Sequence, residues 1–269
     1  MTTAALPTAL PAARHSGLRA ALSDQLVMAG RSVRLTRRAV DTLVMAIVLP
    51  VLQMALFVYV FGGAISGRAA YVDYVVPGIV LLCAGYGAAS TAMSVAADTT
   101  SGMVDRLRSM PVRSSAVLTG HVVASVARNA VSTVVVVAVA VLMGFRSDAG
   151  PLEWAAAAAL VLLYVLALSW LAAFLGVLAS GVESASALSF VMLFLPYLSS
   201  AFVPPETLPA GLRAVAEHQP ITPVIETVRG LLTGTPVGSS AWQAVAWCTG
   251  LLVVGVGAAA WAYRRRGRI

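Results

Sequence analysis

Few residues of this chain are of a type that does chemistry, and their spacing assembles no familiar constellation. The three histidines, His15, His121 and His218, stand far apart, and no HExxH or His/Cys/carboxylate cluster has metal-ligand spacing. No GxxxxGK[ST] occurs, so the chain has no loop of its own to cradle ATP phosphates. The serines form no GxSxG. An intramembrane lipid-modifying enzyme is the alternative from another functional class. The paired aspartates that a metal-bound diphosphate would need inside an apolar segment are missing. None of the 11 acidic residues lies at the centre of an apolar segment either. That argues against a proton-driven pump, whose relay is a carboxylate at mid-membrane.

Two places remain. Arg128, beside Asn129, lies within a long apolar run. At a helix centre an arginine costs about 2.5–3.5 kcal/mol to insert, and less near an end, where it can snorkel. It is read here as lying just inside the cytoplasmic boundary, either as a snorkelling anchor or as a residue of an inner vestibule. With Val80, Ala84 and Gly87 it makes up the candidate substrate pathway, whose neighbouring Leu81 and Ala88 are also apolar or small. Such a surface suits a hydrophobic or amphiphilic molecule. The second place is DTTSGMVDRLRSMPVRSSAVLTG, residues 98–120. Thr99, Thr100 or Ser101 caps a short helix that Pro111 stops. Met103, Leu107 and Met110, at spacings of four and three, share one face, with Asp105, Arg106 and Arg108 on others. The apolar stripe fits a groove on a soluble partner or the membrane interface; periodicity does not decide between them.

The elements that must carry these residues follow from composition. The chain of 269 residues is 59% hydrophobic and 11% charged, with a mean hydropathy of +0.88. A soluble domain carries roughly 25% charged residues. The surplus apolar surface faces lipid, and the fold class is an all-α membrane protein with a single transmembrane domain. Six segments are apolar over the ~20 residues that a span requires: about 42–62, 75–97, 119–145, 152–179, 185–204 and 241–263. The fifth is the weakest, being short and containing Pro196. Thirteen arginines flank one side of these segments and four the other. The positive-inside rule then places both termini in the cytoplasm. The net charge of +7 is therefore topogenic, and nucleic acid is not an expected partner. All 18 basic residues are arginine, which fits a GC-rich bacterial genome. Residues 1–16 hold no apolar run of signal-peptide length. Residues 17–38 repeat apolar positions at three and four with arginines between, as in a helix lying in the membrane interface. Prolines at 204, 205, 209, 220 and 223 divide the segment at about 204–240 into two short helices. The second, about 223–233, aligns Val224, Val228 and Leu231 or Leu232, and Gly234 stops it. Too short to span, these stretches lie at the outer surface or re-enter against protein. Cys83 and Cys248, in apolar runs, are packing residues.

Three stretches resemble the type-2 ABC exporter permeases, in their daunorubicin/doxorubicin-resistance branch. They are MAIVLPVLQMALFVYVFGGAI (45–65), YVDYVVPGIVLLCAGYG with GMVDRLRSMPV (71–87 and 102–112), and FVPPETLP with QPITPVIETVRGLLTG (202–209 and 219–234). The resemblance runs in order through essentially the whole chain. It implies a dimer with a second permease copy or paralogue in the bacterial plasma membrane, bound to a separate nucleotide-binding ATPase subunit. ATP and Mg would reside on that subunit and no cofactor on this chain. The segment from Met103 to Pro111 resembles the family's ATPase-coupling element, and the proline-rich segment its re-entrant outer helices. Relatives export amphiphilic antibiotics, lipids or polysaccharide carriers.

Overall fold

The computed structural model describes Gly30 and residues 40–65, 68–101 and 114–266, with side chains at 44–63, 71–101 and 116–265. The expected interfacial helix at 17–38 lies, Gly30 apart, outside the described residues. Helix α1 (Val40–Ala55) runs on through a π turn (Leu56–Phe61) and one further turn (Gly62–Ile65). It is followed by α2 (Arg68–Thr100), α3 (Ser114–Leu142), α4 (Pro151–Leu178) and α5 (Val182–Phe194), which ends in a 3-10 turn (Leu195–Leu198). Helices α6 (Ala210–His218) and α7 (Ile221–Thr233) precede the last helix, α8 (Ser240–Arg266). Among the described residues there is no strand.

Among the described residues, five helices are long and apolar enough to cross a bilayer: α1 with its π turn, α2, α3, α4 and α8. The expected fifth span, 185–204, is shorter than its sequence suggested. The helix covers Val182–Leu198, about 25 Å at 1.5 Å per residue against a hydrocarbon core of about 30 Å. Pro196 is the second residue of the closing 3-10 turn, and the Ser199 hydroxyl donates to the Pro196 carbonyl (2.5 Å) while accepting from the Ala201 amide (3.1 Å). The backbone at 199–204 therefore leaves the helix. Side chains meet two carbonyls of this stretch and that of Leu198 before it: Tyr71 Oη donates to Phe202 O (2.9 Å), Tyr74 Oη to Ser200 O (2.9 Å), and Gln219 Nε2 to Leu198 O (2.6 Å). Non-helical backbone beside lipid is tolerated only when satisfied by protein in this way.

Local signals explain the other ends. Gly150 precedes Pro151 at the first position of α4, and the Glu153 carboxylate accepts from the Gly150 amide (2.5 Å). Gly234 closes α7 with φ of 69°, a left-handed conformation that glycine adopts without a Cβ penalty. The sequence placed that stop correctly, and Val224, Val228 and Leu232 form the buried face of α7 as expected.

Helix α2 is the hub. Its apolar stretch is 78% buried, against 17% for α1 and 22% for α8. Helices α1, α3, α4 and α5 pack around it, with α1 beside α3, α3 beside α4 and α4 beside α5; α8 lies along the outside of α4. The ring is left open between α5 and α1, where Gln53 of α1 reaches across to the Tyr197 hydroxyl. Helix α7 inserts among α2, α4 and α8. It is fixed by Arg229, which donates to Tyr74 O (3.2 Å) and Ser200 O (2.6 Å), pairs with Glu226 (2.9 Å) and stacks 3.8 Å over the Tyr74 ring. At the opposite end of the bundle a second apolar cluster joins Val95, Leu118, Val122, Val177, Ala262 and Tyr263. Cys83 and Cys248 are buried free thiols, as expected of packing residues.

Candidate functional site

The α2–α3–α4 junction carries a buried polar seam. Arg128 is only 6% exposed, and its guanidinium turns inward, away from the snorkelling orientation. Its Nη2 donates to Gly87 O (3.3 Å) and to the Thr91 hydroxyl (3.0 Å) on α2. Its Nε is buried without a hydrogen-bond partner, and no salt bridge joins it to a carboxylate among the described residues. Asn129 donates through Nδ2 to Ser125 O (2.9 Å), and Ser125 links by its hydroxyl to Ser169 of α4 (2.9 Å). The fit at Gly87 is tight: a Cβ there would sit 2.6 Å from Asn129 Cγ. One turn further out, Ser132 of α3 donates to Ala46 O of α1 (2.6 Å). Polar side chains thus pin α3 to α1, α2 and α4, where a hydrocarbon solvent makes an unmet donor costly.

Two cavities flank the hub on opposite sides. One, of about 440 Å³, fills the gap between α5 and α1. Tyr86, Ser90, Met93 and Ser94 of α2 face it, with Ser186 and Phe190 of α5 and Met45 and Leu49 of α1 on its sides. The other, of about 470 Å³, is a cleft between α3 and α4 with Val80 of α2 and Val228 and Leu232 of α7 at its floor. Of the residues assigned to a pathway from sequence, Val80 and Asn129 line this second cleft. Ala84 is buried in the main core, and Gly87 and Arg128 belong to the seam. Among the described residues, no group of three His, Cys, Asp or Glu side chains converges as a metal site would require.

The ABC-2 type transporter family model matches residues 25–233, which takes in α1 to α7 and the segment between α2 and α3. The chain belongs to the ABC-2 type transporter family. As an ABC-2 permease it is the membrane-spanning subunit of an ABC transporter, a multi-pass membrane protein whose ATPase partner the family implies. The permease is 30% identical to the "Daunorubicin resistance ABC transporter permease protein DrrB1" of Streptomyces coeruleorubidus, over 86% of this chain and 82% of that protein. It is 27% identical to the "Probable doxorubicin resistance ABC transporter permease protein DrrC" of Mycobacterium tuberculosis, over 96% of this chain and 94% of that protein.

The segment read from sequence as the coupling element of the permease, with Met103, Asp105, Arg106, Leu107, Arg108, Met110 and Pro111, lies outside the described residues. Its two stems are described. Asp98 near the end of α2 and His121 near the start of α3 meet at 3.1 Å, and Leu118 and Val122 join Val95 in the second core cluster. Helices α2 and α3 are therefore clamped together where they carry the segment. Sequence reasoning missed Thr91, Ser125 and Ser169 of the seam, the Gln53–Tyr197 bridge, and the hydroxyl-lined gap. The only signal for them was the presence of small hydroxyl residues in apolar runs.

Proposed function

We propose that this permease exports hydrophobic or amphiphilic compounds through a path lined by the α1/α2/α5 gap, paired with a second copy or a paralogue across that gap. One observation carries the reading. The hub helix α2 is otherwise enclosed along its middle, and its accessible side chains there, Tyr86, Ser90, Met93 and Ser94, gather in this gap. They alternate aromatic, thioether and hydroxyl groups, a lining that holds an amphiphile by contact area with a few polar points. The outward side chains of α3, α4 and α8 on the far side are predominantly aliphatic or Trp, such as Val131, Val134, Leu162, Val253 and Trp261, which suits lipid. Gln53, Ser94, Ser186 and Tyr197 at the gap suit a protein neighbour or an aqueous path better. The names of the two relatives, which cite resistance to daunorubicin and doxorubicin, support a drug-like cargo.

Energy would enter through a separate ATPase subunit that binds two permease states with different affinity, since a ligand shifts a conformational equilibrium only by its differential affinity. Met103, Leu107 and Met110 would supply the docking face. The seam and the Asp98–His121 clamp would carry movement of that face to α2 and α3 as a unit. Arg128, buried in that seam and lining neither cavity, would act in this coupling whatever the charge of the cargo. On this reading both termini and the 101–113 segment lie in the cytoplasm, and α6 and α7 cap the exit side. The test is reconstitution with and without the ATPase subunit. The permease alone should hydrolyse no ATP. The complex should be stimulated by amphiphiles and not by sugars or inorganic ions, and Ser90→Phe should abolish that stimulation while leaving basal hydrolysis. Stimulation confined to sugars or ions, or an unaffected Ser90→Phe, would refute it.

A further inference from the structure

The cleft between α3 and α4 lies across the hub from the proposed path and has a different character. It extends along Val126–Val137 of α3 and, antiparallel, along Trp154–Val165 of α4. Eleven residues of rise make it about 16 Å long, close to half of the ~30 Å hydrocarbon thickness. It is a trough one leaflet deep. Its breadth comes from small side chains on both walls, Ala130 on α3 and Ala158 on α4, both exposed. Its polar lining is confined to Asn129, Thr133 and the Trp154 indole. The Asn129 amide is already bound to Ser125. A water needs two to four polar partners to settle in a cavity, and the aliphatic length of the trough away from Asn129, Thr133 and Trp154 supplies none. Leaving it empty would forfeit dispersion contacts along its whole length. The residues on its rim, Val134 and Leu162, are exposed to the surrounding medium, which for a membrane-spanning bundle is hydrocarbon.

We propose that the cleft is a seat for one acyl chain of a membrane phospholipid, drawn from the leaflet on the α6–α7 side of the bundle. Trp154, in the first turn of α4, marks the mouth, at the depth where indoles anchor to the interface. Val228 and Leu232 at the floor belong to α7. The seated chain therefore touches the inserted helix as well as α3 and α4 and fills the space between them. The volume falls within the roughly 300–1,000 Å³ of ordinary ligand pockets. This inference rests on the membrane-spanning fold and not on the proposed export path.

The test uses the full chain with Trp154 as its single tryptophan, the other four replaced by Phe, in phosphatidylcholine vesicles containing phosphatidylcholine brominated high on its chains, near the glycerol and level with Trp154. Bromine quenches indole fluorescence on contact. Trp154 should be strongly quenched in the parent and in Ala159→Phe, which alters an exposed neighbour outside the trough. Quenching should fall in Ala158→Phe and in Ala130→Phe, which fill the trough from its two walls. Native mass spectrometry should find one phospholipid retained by the detergent-solubilised parent and lost from both filled variants. Wild-type melting of either filled variant establishes that it is folded, and one folded variant suffices. Equal quenching and equal lipid retention in all forms would overturn the seat. So would relief of parent quenching by an amphiphile that stimulates the ATPase, an outcome that hands the trough to the cargo.

Discussion

Gly87→Ala tests the seam where it is tightest. The added methyl would lie 2.6 Å from Asn129 Cγ, well inside contact distance. Two responses are open. Asn129 can swing away, surrendering its 2.9 Å bond to Ser125 O in a buried setting, or α2 and α3 can separate and stretch the 3.3 Å bond from Arg128 to Gly87 O. Either leaves a buried polar group poorly met, at about 1–3 kcal/mol, and overpacking alone costs a similar amount. With about 2–4 °C per kcal/mol for a chain of this size, the melting temperature in detergent should fall by several degrees. Gly250 of α8 is the control, since a Cβ there meets nothing within 4 Å. Gly250→Ala should hold or raise stability through helix propensity. The decisive form is a double-mutant cycle. Asn129→Ala removes the obstructing amide, so Gly87→Ala should cost much less in that background, with a coupling of about 0.5–3 kcal/mol. Strict additivity, or a Gly87→Ala variant that melts with the parent, would show that the two residues are not in contact.

Two further outcomes follow from the coupling segment and the orientation. Leu107→Glu should abolish ATPase association and transport while leaving membrane insertion intact, because a charge in a desolvated groove costs several kcal/mol; pull-down at wild-type level with wild-type transport would make Leu107 a bystander. Cysteines at Arg146 and Gly238 should react with an impermeant thiol reagent outside intact cells, whereas one at Ser109 or Arg266 should not. The native background is low because Cys83 and Cys248 are buried, and labelling at Ser109 would reverse the orientation.

The helices themselves were legible because apolar length is a one-dimensional quantity, and five spans read from the sequence correspond to the five long helices found. The fifth segment misled because hydropathy does not register hydrogen bonding. Ser199, Ser200, Ala201 and Phe202 are apolar or small enough to extend a span on paper. Their backbone is instead held open by hydroxyls and an arginine from 126 or more and 29 residues away. The α7 helix was readable down to its glycine stop, since capping is local. Its burial among α2, α4 and α8 was not, because its apolar face could equally have rested on lipid.

The site was less legible for a related reason. Helix α2 is apolar nearly all round, so its periodicity points nowhere, and Val80, Ala84 and Gly87 stand out in the sequence only as apolar or small. Those three positions prove to face a cleft floor, the main core and the seam respectively. The side chains that mark the open flank are Ser90 and Ser94, and they conceal themselves. Ser94 Oγ donates to Ser90 O one turn back (2.8 Å), so it can sit in a span without any partner outside its own helix. A hydroxyl satisfied in this way costs little to insert and leaves lone pairs free to meet a passing solute. A path lined by such groups needs no fixed charge and no buried acid. On the proposed path, that would account for how little recognisable chemistry the sequence carries; the gap itself becomes visible only because the other helices close around the rest of the middle of α2.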